Sequence, residues 1–117
     1  MSDCIFCKIA RGEIPARVVY QNDFVVAFHD VNPQAPVHVL VITKKHIPDL
    51  RDLKWDPAGR MFDAIRKVAT ELDLGEKGFR VVFNTGPQAG QSVQHIHAHV
   101  LGGQEMGWPP FPAGSPK

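Results

Sequence analysis

Near the C-terminal end of this 117-residue chain three histidines alternate with apolar residues: His95-Ile96-His97-Ala98-His99-Val100. Successive side chains of an extended strand point to opposite faces. A strand here aligns His95, His97 and His99 on one face and Ile96, Ala98 and Val100 on the other. Wound as a helix, the same run scatters the imidazoles around the axis. A row of three imidazoles gains little from packing. Near neutral pH their nitrogens attack electrophiles, exchange protons and bind metals, and clustered titratable groups mark functional sites. The alternation therefore predicts an apolar face set into a core and an imidazole face lining an open surface.

Three other segments carry residues able to do chemistry. Cys4 and Cys7 are the two cysteines of the chain, spaced Cys-Ile-Phe-Cys. That spacing is half of a zinc site or a redox pair; a redox pair usually follows a strand, and only three residues precede Cys4. The loop from Asn84 through Gly86, Pro87 and Gly90 to Gln91 and Ser92 leads directly into the histidines. Glycines let backbone amides approach an anion, so beside three imidazoles this loop reads as a phosphate cradle. Asp30, in Phe28-His29-Asp30-Val31, is either a strand-end turn residue or a carboxylate for ribose hydroxyls. His38 alternates with apolar residues, the pattern of a core histidine as well as of a catalytic one.

The elements that position these residues follow from patterning. Residues 3–10 read as a short helical turn with Asp3 as N-cap. Residues 17–20 and 24–29, rich in Val, Phe and Tyr, flank a Gln21-Asn22-Asp23 turn. Two prolines make 30–36 a loop. Residues 37–43 form the next strand, with His38, Leu40 and Ile42 on one face. A long helix follows, with Asp56 as cap, Pro57 at its first position and Gly75 as stop signal. Its apolar stripe is Met61, Phe62, Ile65, Val68, Ala69 and Leu72, more apolar surface than one small sheet covers. Residues 79–84 make another strand, and from Gly102 the Pro/Gly-dense chain leaves regular structure. The sum is an α+β domain of about five mostly antiparallel strands with one long helix on one face.

Composition narrows the function classes. An apolar fraction of 44% fills one modest core, and dimerisation or a bound metal would help so short a domain. Net charge is +1 with acids and bases interspersed, which argues against a nucleic-acid partner; Lys44-Lys45 reads as a solvated loop. Met1-Ser2-Asp3 lacks a positive signal region and no apolar run approaches a membrane span. The expectation is a cytoplasmic protein with reduced thiols and no membrane partner.

The histidine run followed by Leu101-Gly102-Gly103 resembles the signature of the histidine triad superfamily. More narrowly the chain resembles its Hint branch, the purine nucleoside phosphoramidases. Asp3-Cys4-Ile5-Phe6-Cys7, Glu13-Ile14-Pro15, Phe28-His29-Asp30, Pro33-Gln34-Ala35-Pro36, Lys44-Lys45-His46, Gly90-Gln91-Ser92 and Trp108-Pro109-Pro110 carry the likeness in order. The resemblance implies a domain over 1–110 with a Pro/Gly-rich tail at 111–117, and a homodimer whose two sheets join into one. It implies cleavage of the P–N bond of AMP or GMP conjugates through a nucleotidyl-histidine. His97 would be the nucleophile, with His99, His38 and Ser92 assisting at the phosphate. Asn84, Gly90, Gln91 and Ser92 would hold phosphate oxygens and Asp30 the ribose. Phe6, Ile9, Phe28, His29, Val31 and Leu40 would wall the base and sugar. Trp108 would reach across the dimer to the partner's leaving-group site. Cys4, Cys7, His46 and His95 would bind a structural zinc, a Cys₂His₂ set suited to a closed tetrahedral site, and no organic cofactor is expected. Two other readings stay open: a dinucleoside polyphosphate hydrolase of the same superfamily, or a nucleotide-binding regulatory module.

Overall fold

The structure, a computed structural model, describes residues 4–111. Asp3, expected to cap the first helix, lies outside the described residues, as do positions 112–117 of the tail. Helix α1 runs Ile5–Ala10, and Cys4 caps it by accepting the Cys7 amide on its sulfur. The strands are β1 (Val18–Gln21), β2 (Val25–His29), β3 (Val37–Thr43), β4 (Arg80–Val82) and β5 (His97–Gly102). They form one sheet in the order β1-β2-β3-β5-β4, antiparallel at every pairing.

Strand alternation assigns each face of that sheet a task. Val25, Ala27, Val39, Val41, Ala98 and Val100 lie on one side and are fully buried with Met61, Ala64, Ile65 and Val68 of helix α2 (Trp55–Glu71). On the other side Val26, Phe28, Leu40 and Ile42 pack with Phe6 of α1. Register then brings the histidines to this second face. Leu40 sits opposite His99, Ile42 opposite His97, and His38 opposite Leu101. His38 is thus the diagonal neighbour of His99 across the strand pair, a separation long side chains span.

Helix α2 departs from the expected ends. It starts at Trp55, with Lys54 as an N-cap that makes no side-chain cap bond. Asp56 falls inside the first turn and pairs with Arg60 at 3.0 Å; Pro57 still loses nothing there, since first-turn amides have no helical acceptor. The helix stops before Gly75. Asp73 takes the left-handed position with φ 61°, and Leu74 N and Asp73 N bond back to Ala69 O and Thr70 O. This double bond pattern is a Schellman closure, usually made by glycine. Leu74 is buried by it. Phe62 leaves the predicted stripe and is 54% exposed, its ring edge-on to Phe83.

The fourth strand is shorter than expected, three residues rather than 79–84. The fifth runs on through Gly102, beyond the point where Pro and Gly were expected to end regular structure. The glycines there serve close approach. A Cβ on Gly102 would lie 2.7 Å from Leu74 Cδ2, and one on Gly103, at φ 90°, 2.9 Å from Pro36 Cβ. The end of β5 is therefore tucked against the 30–36 loop that precedes His38. No helix among the described residues is long and apolar enough to cross a membrane.

Candidate functional site

The imidazole face is not one open surface. His95 is completely buried and precedes β5, while His97 and His99 border a cavity of about 550 Å³, a size suited to a small ligand. Two separate clusters result.

The first joins α1 to the start of the histidine run. The ligand atoms of Cys4, Cys7, His46 and His95 all lie within 4.8 Å of one another. Cys4 Sγ is 3.3 Å from His95 Nδ1, Cys7 Sγ 3.3 Å from His46 Nδ1, and Cys7 Sγ 3.6 Å from His95 Nδ1. A tetrahedral centre with metal–sulfur bonds of about 2.3 Å and metal–nitrogen bonds of about 2.0 Å has edges of about 3.5 Å. The spacing and the two-thiol, two-imidazole donor set both fit such an ion. The far nitrogen of His95 is also set: Nε2 donates to Thr43 O at 2.7 Å, leaving the Nδ1 lone pair for the cluster, the usual way a metal-binding histidine is oriented. Burial lowers the His95 imidazole to about 4, so it is neutral, the form that ligates.

The second cluster lines the cavity. His97 Nδ1 donates to the carbonyl of His95 at 2.8 Å. A carbonyl can only accept, so Nδ1 carries a proton, and in the neutral ring the lone pair is on the remaining nitrogen, Nε2. His99 and His38 meet at 2.9 Å between Nδ1 and Nε2. Asp30 Oδ2 lies 3.4 Å from the same His38 Nε2, and Asp30 Oδ1 accepts from the Asn32 amide. Burial first, then the His97 and His38 rings, lower the His99 imidazole to about 4. Burial also lowers His38, against the opposing pull of Asp30. Phe6 packs edge-on against His97 with centroids 5.1 Å apart, closing its inner side with an apolar ring.

Ten of the expected site residues border this cavity: Phe6, Ile9, Phe28, His29, Asp30, Val31, Leu40, Ser92, His97 and His99. His38 is buried behind them and reaches the cavity through His99. Asn84, Gly90, Gln91 and Trp108 are not among its lining residues. The Gln91 amide is committed to holding its own loop and the loop of Pro48: Oε1 accepts from Gly86 N, and Nε2 donates to Pro48 O and Val93 O. Trp108 is 82% exposed, near the Arg80 guanidinium. Sequence reasoning missed Ile5, Ile14, Pro15, Ala16, Arg17 and Val93 as lining residues. Helical spacing would have found Ile5, which shares a face with Ile9; nothing local marks the others.

Comparison with known proteins agrees with this geometry. The HIT domain family profile matches residues 11–106. The purine nucleoside phosphoramidase of Escherichia coli K12 is 44% identical over 108 residues, covering 90% of this chain and 91% of that protein. An uncharacterized HIT-like protein of Synechocystis is 48% identical over 111 residues, 92% and 96% of the two chains. Among solved structures, the HIT family hydrolase of Legionella pneumophila superposes with a TM-score of 0.89 at 46% identity, covering 93% of this chain and all of that one.

Proposed function

This chain belongs to the HIT domain family, and on that premise we propose that it hydrolyses purine nucleoside 5′-phosphoramidates through a nucleotidyl-histidine. The observation that carries the reading is the His97 Nδ1–His95 carbonyl bond. It orients Nε2 as the nucleophile on a cavity of nucleotide size. The similarity to a protein named purine nucleoside phosphoramidase supports the substrate class.

In this mechanism His97 Nε2 attacks the α-phosphorus, the Nε2–P bond forms and the P–N bond breaks. The departing amine takes a proton; the exposed Ser92 hydroxyl at the cavity relays it from solvent. Water then attacks the nucleotidyl-histidine, releasing the nucleoside monophosphate and restoring His97. Splitting the reaction into two displacements is the gain of covalent catalysis. His99 is held neutral near pH 7, so its part is a hydrogen bond to a phosphoryl oxygen, where charge grows in each transition state. Asp30 takes the ribose hydroxyls, and Phe6, Ile9, Phe28, His29, Val31 and Leu40 enclose base and sugar. Asn84, Gly90 and Gln91 shape the loop that presents Ser92.

Cys4, Cys7, His46 and His95 would hold a zinc ion, whose contribution is structural: it ties α1 to the strand of the nucleophile. Dimerisation is supported by edge strand β4, on which Val81 stands exposed, with exposed Phe79 just before it. Light scattering should give close to twice 13.0 kDa, and a monomer at micromolar concentration contradicts the paired sheet. The direct assay is incubation with adenosine 5′-phosphoramidate: AMP release is expected, and binding of AMP without turnover would leave a nucleotide-binding module instead.

A further inference from the structure

His38 has a hydrogen-bond partner that none of the chemistry above uses. The backbone N–H of Gln34 donates to His38 Nδ1 at 3.0 Å. A backbone amide can only donate, so Nδ1 must present a lone pair. The single ring proton of a neutral His38 is then on Nε2. From Nε2 it reaches His99 Nδ1 at 2.9 Å, closer than Asp30 Oδ2 at 3.4 Å. His99 Nδ1 is thereby an acceptor, and the His99 proton is on Nε2, the one ring nitrogen left for the cavity.

We propose that the Gln34 backbone amide is a positioning group of the site, fixing through His38 the tautomer in which His99 offers an N–H to the substrate. His97 and His99 then present opposite chemistry to one cavity, a lone pair from one and a donor from the other. Neither could be exchanged for the other without breaking a backbone hydrogen bond. The same bond decides a competing use of these residues. Asp30, His38 and His99 are close enough to hold a metal ion, but a metal at His38 Nε2 needs the ring proton on Nδ1, where the Gln34 N–H already points. Burial disfavours the cationic His38 that would escape the constraint, against the pull of Asp30. The loop carrying Gln34 is held from both sides: Gln34 Nε2 bonds Asn32 O, and Pro36 abuts the Gly103 backbone.

The proposal depends on the phosphoryl-transfer reading only for what the N–H is used for. The tautomers are read in the ligand-free full chain, separately from the AMP-release assay. Long-range ¹H–¹⁵N correlation spectra at neutral pH should show unprotonated Nδ1 and protonated Nε2 for His38 and His99, with the reverse for His97. A protonated Nδ1 on His38 or His99 overturns the proposal. Gln34→Pro deletes the N–H and should give His38 a mixture of tautomers; Gln34→Ala keeps the N–H and should keep the wild-type pattern. AMP affinity should fall about tenfold or more in Gln34→Pro, the weight of one hydrogen bond to a charged group. An unchanged His38 tautomer in a folded Gln34→Pro also overturns it, and the wild-type spectra decide the matter should that variant not fold.

Discussion

His95 and His99 stand four residues apart on one run of chain, yet belong to clusters with opposite surroundings. At His95 the ring is sealed between two thiols and a strand carbonyl, and Nδ1 is left to the thiols. At His99 the ring borders an open cavity, with Nδ1 tied back to His38 and Nε2 left over. His97, between them, is tied back by Nδ1 to a carbonyl. On the proposed function the same side chain serves as a ligand, a nucleophile and a donor, according to what its far nitrogen touches. The comparison teaches that a histidine motif states where imidazoles are, while their partners state what each can do.

The largest effect should come from removing the lone pair at the centre. His97→Ala is expected to lower phosphoramidate hydrolysis by about 10³-fold or more, as loss of a covalent nucleophile does, with AMP binding retained in calorimetry. Free imidazole should partly restore His97→Gly. Near-normal turnover by His97→Ala would erase the distinction between His97 and its neighbours.

The sealed cluster should answer in stability rather than chemistry. Elemental analysis of protein purified without added metal should find about one zinc per chain. Cys7→Ser should lose it and melt several degrees lower, since metal binding contributes folding free energy, while kcat falls far less than in His97→Ala. Equal stability of the metal-free protein would mean the thiols are only packed.

A smaller effect distinguishes the open cluster by pH. His99 has its folded value lowered to about 4 from 6.5, so between those values the unfolded chain binds more protons. The stability contributed by neutral His99 is whole above about 6.5 and is lost as pH falls towards 4. The melting temperature should decline across that window, and the decline should be shallower in His99→Gln. Parallel curves would show that His99 titrates normally.

The smallest effect is expected outside both clusters. If Trp108 serves a partner's cavity, Trp108→Ala should change kcat/KM by a few-fold, more for bulky than for small amine leaving groups, with AMP affinity little changed. A uniform change would assign the indole to the dimer interface.

Much of the architecture was legible because period-2 and period-3.6 patterns are local. The alternation of Val37–Thr43 and of the histidine run identified two central strands, and Met61, Ile65 and Val68 identified the helix. Element ends were less legible. Asp56 and Gly75 have the residue types of caps, but Leu53 and Leu74, flanking the helix, pack against the core, which outweighs a cap worth about 1 kcal/mol. The missed cavity residues Ala16, Arg17 and Val93 come from segments whose only common feature is spatial.

By itself the sequence determined the composition of the site: which imidazoles, thiols and carboxylate exist, and, through strand alternation, that His97 and His99 share a face. Tertiary structure alone decided that His95 is sealed against two thiols, that His38 stands behind His99 with Asp30 beside it, and that Gln91 braces two loops. The reason is physical. Side-chain direction along a strand is set by neighbouring backbone geometry. Which nitrogen of an imidazole keeps its proton is set instead by hydrogen-bond partners such as Thr43, His95 and Gln34, brought there only when the strands pair in register.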